Sequence, residues 1–247
     1  MKNNVLENNG NIELLASWIK ESKYTVVLTG AGMSTESGIP DFRSKDGWWK
    51  NLDPTTVAST YALENKYDLF RDFYIMRINT LKNCKPHIGH KILADWEKRG
   101  LVQCIATQNV DRFHHEAGSK NVYELHGNIR TVKCEDCGAN GQLEDFVMKK
   151  SCSKCGGRLR PNVVLFGESL PYDDFNNAME AIRKAELVIV IGTSLQVYPV
   201  NQLPYLCKGK KVYINMDVDY HSRNFDMVIK GKAGNTLLDI EKYLTKN

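Results

Sequence analysis

Residues 24 to 43, YTVVLTGAGMSTESGIPDFR, constrain the chain more than any other stretch. Tyr24-Thr25-Val26-Val27-Leu28 reads as a buried strand, because branched and aromatic apolar side chains with a threonine favour one. Gly30-Ala31-Gly32 follows at once, and a glycine pair at a strand end lets the backbone turn sharply against a phosphate. The dinucleotide fingerprint G-x-G-x-x-G is incomplete, since Thr35 stands where the third glycine belongs. Alone, the pair is as compatible with a tight structural turn as with a cofactor loop. The continuation Gly38-Ile39-Pro40-Asp41-Phe42-Arg43 adds an acid, an aromatic ring and a guanidinium beside the same turn, which favours a nucleotide site.

Further apolar runs at 101–106, 163–166, 187–191 and 211–215 alternate with helical patterns at 11–22, 62–82, 88–98, 173–185 and 236–244. Such alternation predicts a Rossmann-like α/β fold, a mostly parallel sheet with helices on both faces. In the second helix Leu63, Tyr67, Phe70, Tyr74, Ile78 and Leu81 form one apolar stripe, and Arg77 falls inside it. Residues 44–89, opening with the polar loop SKDGWWKNLDPTT, and 127–161 interrupt the pattern and read as insertions. The expected division is therefore a Rossmann-like domain of 1–43, 90–126 and 162–247, a cofactor loop and helical insertion at 44–89, and a zinc-ribbon module at 127–161.

The zinc assignment rests on Cys134-x-x-Cys137 and Cys152-x-x-Cys155, with fourteen residues between the pairs. Each pair sets two thiolates on a tight turn, with Gly138, Gly156 and Gly157 to allow the reversals. Four sulfurs leave no open position for water or substrate, so one structural ion is expected. The other cysteines, Cys84, Cys104 and Cys207, are scattered, and an odd total of seven fits metal binding and reduced thiols better than a disulfide framework. With 42% hydrophobic and 25% charged residues, the 247-residue chain can bury a core as one large domain or one with a smaller insert. A net charge of +4 implies no nucleic-acid partner. The start MKNNVLENNGNIELL lacks a basic segment followed by an apolar one, and no run is long enough to span a bilayer, so a soluble cytoplasmic protein is expected.

Polar residues gather where runs end. His126 follows Val122-Tyr123-Glu124-Leu125, and an imidazole with a pKa near ~6.5 can take up a proton at neutral pH. In isolation it is also readable as a hydrogen-bonded structural histidine. Thr107-Gln108-Asn109-Val110-Asp111 offers amides suited to ribose hydroxyls and a carboxylate able to hold a carboxamide nitrogen. Gly192-Thr193-Ser194 and Asn215-Met216-Asp217 close two more runs, at the carboxyl ends of strands where open α/β sheets bind ligands.

Taken in order, GAGMSTESGIPDFR, TQNVD, HGN at 126–128, the two CxxC pairs and GTSLQVYP at 192–199 resemble the sirtuins, NAD-dependent protein deacylases, in the form of a bacterial-type single catalytic core. The resemblance implies that His126 removes a proton from the cofactor ribose, with Asn109 and Asp111 completing the catalytic set. Gln108 and Asn109 would touch the nicotinamide ribose, and Val110, where the family usually has isoleucine, would line the nicotinamide pocket with Asp111. Gly30, Ala31, Gly32, Thr35, Asp41, Phe42, Arg43, Gly192, Thr193, Ser194, Asn215, Asp217 and Ala233 become NAD contacts. An acylated lysine of a protein or peptide would bind by strand addition between 163–170 and 194–199, against Val163, Phe166, Gly167 and Val197. The implied products are free lysine, nicotinamide and O-acyl-ADP-ribose, and no hydride moves. Tyr74-x-x-Arg77 matches the pattern of sirtuins that accept succinyl- and malonyl-lysine, although an arginine on an apolar stripe is also readable as a snorkelling or internally paired side chain. His87, His90, His114, His115 and His221 are given surface or structural roles, and a monomer is expected. A mono-ADP-ribosyltransferase and a non-catalytic NAD-sensing protein are the alternative functions.

Overall fold

The computed structural model describes residues 2–42, 53–218 and 220–246. In chain order its helices are α1 (Lys2–Glu21), α2 (Pro54–Val57), α3 (Thr60–Asn65), α4 (Tyr67–Leu81), α5 (Ile88–Lys98), α6 (Phe113–Ala117), α7 (Leu143–Val147), α8 (Tyr172–Lys184) and α9 (Ala233–Leu244). The strands are β1 (Thr25–Thr29), β2 (Cys104–Thr107), β3 (Val122–Glu124), β4 (Gly127–Cys134), β5 (Asn140–Gly141), β6 (Leu159–Val163), β7 (Leu187–Ile191), β8 (Lys210–Asn215) and β9 (Met227–Lys230).

Six strands form a parallel sheet in the order β3-β2-β1-β7-β8-β9. Alternate side chains of its central strands feed two cores. Val27, Ile189 and Ile191 pack with Leu15, Ile19, Leu93, Trp96 and Leu237 of α1, α5 and α9, while Val26, Leu28, Val188 and Val190 face Ala178, Ala181 and Ile182 of α8. Both faces are covered, which is why these strands read as unbroken apolar runs rather than alternating ones. A second, antiparallel sheet of β5, β4 and β6 packs with α2, α3, α4 and α7 around Phe70, Phe73, Ile129, Val132, Phe146 and Leu159.

Three expectations about elements are corrected. The helical pattern at 62–82 is two helices, because Lys66 leaves helical geometry (φ −138°, ψ 45°). The strand expected at 101–106 starts at Cys104, since the N–H groups of Leu101 and Val102 are spent closing α5 against Trp96 O. The apolar run at 163–166 does not join the parallel sheet. Only Val163 is a strand residue, in β6, and beyond it Phe166 bridges to Ser59 before Gly167 turns the chain at φ +98°.

The sheet order reverses direction between β1 and β7, and the crevice outside the carboxyl ends of strands at such a switch point is where α/β proteins bind ligands. Gly30 and Gly192 lie there, one at each strand end.

Candidate functional site

A cleft of ≈ 710 Å³ opens at this switch point, within the size range of small-molecule sites. Its floor is two glycine turns pressed together. Gly32 N–H donates to Gly192 O at 2.8 Å and Gly30 N–H to Ile191 O at 3.0 Å. A Cβ on Gly30 would lie 2.5 Å from the Cβ of Thr193, one on Gly32 would lie 2.8 Å from Gly192 Cα, and one on Gly192, whose φ is +63°, would overlap Met33 N. The glycines are thus required by the approach of one loop to the other, which leaves a bare backbone surface facing the cleft.

Around that floor stand uncharged amides and hydroxyls. Gln108 Nε2 donates to Thr193 Oγ1 at 2.9 Å, and Asn215 Nδ2 to the Tyr213 hydroxyl at 2.8 Å. Tyr213 in turn donates to Thr193 O at 2.7 Å. Asn109 spends its Nδ2 on Gly30 O (3.0 Å) and Ser34 Oγ (3.1 Å), and Ser34 Oγ donates to Asp111 Oδ2 at 2.7 Å. Asp111 Oδ1 accepts the Phe113 N–H at 2.8 Å. Burial raises the Asp111 pKa, opposed by the bonds from Phe113 and Ser34 and by the charges of Arg130 and Arg77. With Ala31, Ser34, Ile39, Phe42 and Val110 it lines a small cavity adjoining the main cleft. Bare backbone, neutral donors and acceptors and the recessed carboxylate of Asp111, with Asp41, Glu168 and Asp217 also along the cleft, are a fitting donor set for a dinucleotide with a carboxamide end.

His126 sits at the turn between β3 and β4, where Gly127 adopts φ +67° against Asn162 O. Its Nδ1 donates to Gln108 O at 3.1 Å, which leaves Nε2 as the basic nitrogen of a ring that lines the cleft. Burial lowers its pKa, partly offset by the bond to Gln108, so the imidazole is neutral at pH 7 and able to take a proton. Val163, Phe166, Gly167, Ser194 and Val197 line the same cleft. Tyr74 and Arg77 of α4, both buried, line it as well. Arg77 does not snorkel: it is 9% exposed, its guanidinium 5.2 Å from the Phe42 ring centre and 5.8 Å from that of Tyr74. Burial lowers its pKa, while Tyr74 and Asp111 act the other way, and the Tyr74 hydroxyl is pushed up to about 12 by burial.

The structure therefore brings Ala31, Gly32, Asp41, Phe42, Gln108, Asn109, Val110, Gly192, Thr193, Ser194, Asn215 and Asp217 onto one cleft with His126. Gly30 lies beneath it. Thr35 is exposed and turned back onto Gly32 O, and Ala233 is buried at the start of α9; neither is among the residues that line the cleft. Arg43 lies outside the described residues. Ser34, which joins Asn109 to Asp111, was not singled out in the sequence. Its signal was present, a serine inside the glycine loop, but its partners are some 75 positions away.

In the smaller sheet the four cysteine sulfurs all lie within 4.8 Å of one another, Cys134 to Cys155 at 3.5 Å and Cys137 to Cys152 at 3.8 Å. A tetrahedral site with Zn–S bonds of ~2.3 Å has S···S edges of about 3.8 Å, so the set fits one zinc ion. Each knuckle closes alike, Gly138 N–H on Cys134 O at 3.0 Å and Gly156 N–H on Cys152 O at 2.8 Å, with both glycines at positive φ. Among the described residues no helix is long and apolar enough to cross a membrane.

The model of the Sir2 family matches residues 30–199. NAD-dependent protein deacetylase 1 of Geobacillus kaustophilus (strain HTA426) is 48% identical over 237 residues, 94% of this chain and 98% of that protein. NAD-dependent protein deacylase 1 of Archaeoglobus fulgidus is 39% identical over 240 residues, 95% of this chain and 98% of that protein. Among solved structures, a Sir2 complex with p53 peptide and NAD+ has a TM-score of 0.85 at 35% identity, covering 93% of this chain and 96% of its own. Another Sir2 chain, with deacetylated p53 peptide and 3'-O-acetyl ADP ribose, has a TM-score of 0.87 at 32% identity, covering 94% and 98%.

Proposed function

The chain belongs to the Sir2 family, and from that membership we propose which of its residues carry each part of the reaction. It is an NAD-dependent deacylase of lysine side chains in proteins or peptides, with one structural zinc held by Cys134, Cys137, Cys152 and Cys155. When bound, NAD supplies a ribosyl carbon that nicotinamide leaves and an ADP-ribose on which the acyl group ends.

His126 Nε2 takes the proton of a ribose hydroxyl, and the bond from Nδ1 to Gln108 O holds the required tautomer. Asp111 accepts the carboxamide N–H of nicotinamide, while Ser34 and Phe113 fix its two oxygens in direction. With both Nδ2 hydrogens of Asn109 committed, its Oδ1 is left to accept from a ribose hydroxyl. Gly30, Ala31, Gly32, Gly192, Thr193, Ser194 and Asn215 form the cradle for the rest of the dinucleotide, with Asp217 at its edge. The acylated peptide lies extended between Val163–Gly167 and Ser194–Val197, so that backbone bonds tolerate many sequences. Every residue assigned here comes from one chain, and a cytoplasmic monomer is taken as the working unit.

The acyl group is directed toward Tyr74 and Arg77. A buried guanidinium lining the cleft suits an acyl chain ending in a carboxylate, succinyl or malonyl, beside acetyl. The observation that carries the whole reading is that His126 and Asn109 line one cleft with the 163–167 loop, while Asp111 lines the small cavity beside it, which Asn109 shares. The test is incubation with NAD and acetyl-, succinyl- and malonyl-lysine peptides, with products weighed by mass spectrometry. Deacylated peptide with matching O-acyl-ADP-ribose is expected, and ADP-ribosylated protein or no product would overturn it. Arg77→Met should lower succinyl turnover by about tenfold or more relative to acetyl, the worth of a charge-assisted hydrogen bond. An unchanged ratio refutes the acyl assignment.

A further inference from the structure

The loop that lines the acyl-lysine side of the cleft is held by an ion pair between the buried Arg160 and the partly exposed Glu168, which itself lines the cleft. Arg160 lies on β6 with 1% of its side chain exposed. Its Nη1 meets Glu168 Oε1 at 2.5 Å and its Nη2 meets Oε2 at 3.0 Å, a two-pronged contact. Nη2 also donates to Val163 O at 2.7 Å, and Glu168 Oε2 accepts the Leu165 N–H at 2.8 Å. Residues 163, 165 and 168 are thus closed around one guanidinium. Between these ties the loop is pinned on its other side, Val164 N–H to His126 O at 2.9 Å and Phe166 N–H to Ala58 O at 2.9 Å. Val163, Leu165, Phe166, Gly167 and Glu168 itself all line the cleft. Arg160 Nη1 also lies 3.3 Å from Glu135 Oε2, next in the chain to the zinc ligand Cys134.

Fold stability alone does not call for such a pair, since apolar side chains of equal volume serve a core as well or better. What a two-pronged arginine contributes is fixed geometry. We propose that Arg160 and Glu168 are positioning residues for acyl-lysine binding, setting the 163–168 loop at the cleft and tying it to the zinc-bearing sheet. This rests on the deacylase reading.

The experiment compares wild type, Arg160→Lys, Glu168→Gln and the double variant in steady-state deacylation of an acetyl-lysine peptide, with calorimetric peptide binding alongside. Each single variant should raise the peptide KM and Kd about tenfold or more, with kcat at saturating peptide and the KM for NAD held within about twofold. The double variant should be little worse than either single one, because both remove the same contact. If Arg160→Lys does not fold, Glu168→Gln carries the test, as it keeps a neutral acceptor for the Leu165 N–H. Unchanged peptide KM and Kd in folded variants overturn the proposal. So does a fall in activity toward both substrates in proportion to lost folded protein. A wild type that turns over no acyl peptide fails the deacylase reading itself, before any variant is compared.

Discussion

From about pH 7 to about pH 5 the protein should lose stability through two buried imidazoles, His90 of α5 and His114 of α6. His90 is 0% exposed and, among the described residues, neither of its ring nitrogens has a hydrogen-bond partner. Its ring packs edge-on against Phe113 and lies 4.5 Å from His87 and 5.0 Å from His114, centre to centre. His114, 2% exposed, donates from Nε2 to Thr29 Oγ1 at 3.0 Å, because Thr29 spends its own hydrogen on Thr107. A proton added at His114 Nδ1 would find no acceptor. Burial first, then the neighbouring histidines, lowers the pKa of His114 to about 3 and that of His90 far below the ordinary range. In the unfolded chain both titrate near ~6.5. The unfolded state therefore binds more protons below that pH, and the stability present above it is lost as pH falls. The loss from about pH 7 to about pH 5 is ~2 kcal/mol for each histidine, ~4 kcal/mol for the two. With about 2.1 cal/mol/K of unfolding entropy per residue over 247 residues, Tm should fall by about 8 °C from this source. The assay is thermal unfolding across that range for the wild type, His114→Gln and His90→Leu. Each variant should show about half the histidine-dependent fall, with carboxylates and zinc thiolates common to all three. Parallel pH–Tm curves for wild type and His114→Gln would refute the reasoning.

His126→Ala should reduce turnover by roughly 10²–10⁴, the usual worth of a general base, while NAD binding by calorimetry stays close to wild type; full activity in the variant would remove the base assignment. Gly30→Ala places a methyl 2.5 Å from Thr193 Cβ, and should cost about 1–3 kcal/mol of stability and weaken NAD binding, measured by denaturant unfolding and calorimetry. Metal analysis should find one zinc per chain, and Cys152→Ser should loosen β4 to β6, read as faster amide exchange there than in the parallel sheet; equal protection would show that the ion does not hold that sheet.

Much of this protein was legible in the chain because its signals are local. The apolar run at 187–191 is strand β7 residue for residue, since a strand covered on both faces needs no polar position. The two CxxC pairs closed into one cluster, because each knuckle is a short turn whose glycines supply the positive φ. Gln108, Asn109, Thr193, Ser194, Asn215 and Asp217 line one cleft, with Asp111 in the small cavity beside it, as the rule for carboxyl ends of parallel strands leads one to expect.

What could not be read were relations across the sequence. The break at Lys66 carries no glycine or proline to announce it. The reason for Gly30 and Gly32 is the loop at Gly192 and Thr193, brought against them only by the pairing of β1 with β7. Ser34 matters because Asn109 and Asp111 arrive beside it. A sequence carries periodicity and turn chemistry within a few residues of each position, and from these the elements, the metal ligands and the family resemblance followed. Which hydroxyl meets which carboxylate, which nitrogen of His126 stays free, and that His90 and His114 are shut away from water depend on distances between distant segments. Those distances exist only once the sheet has formed.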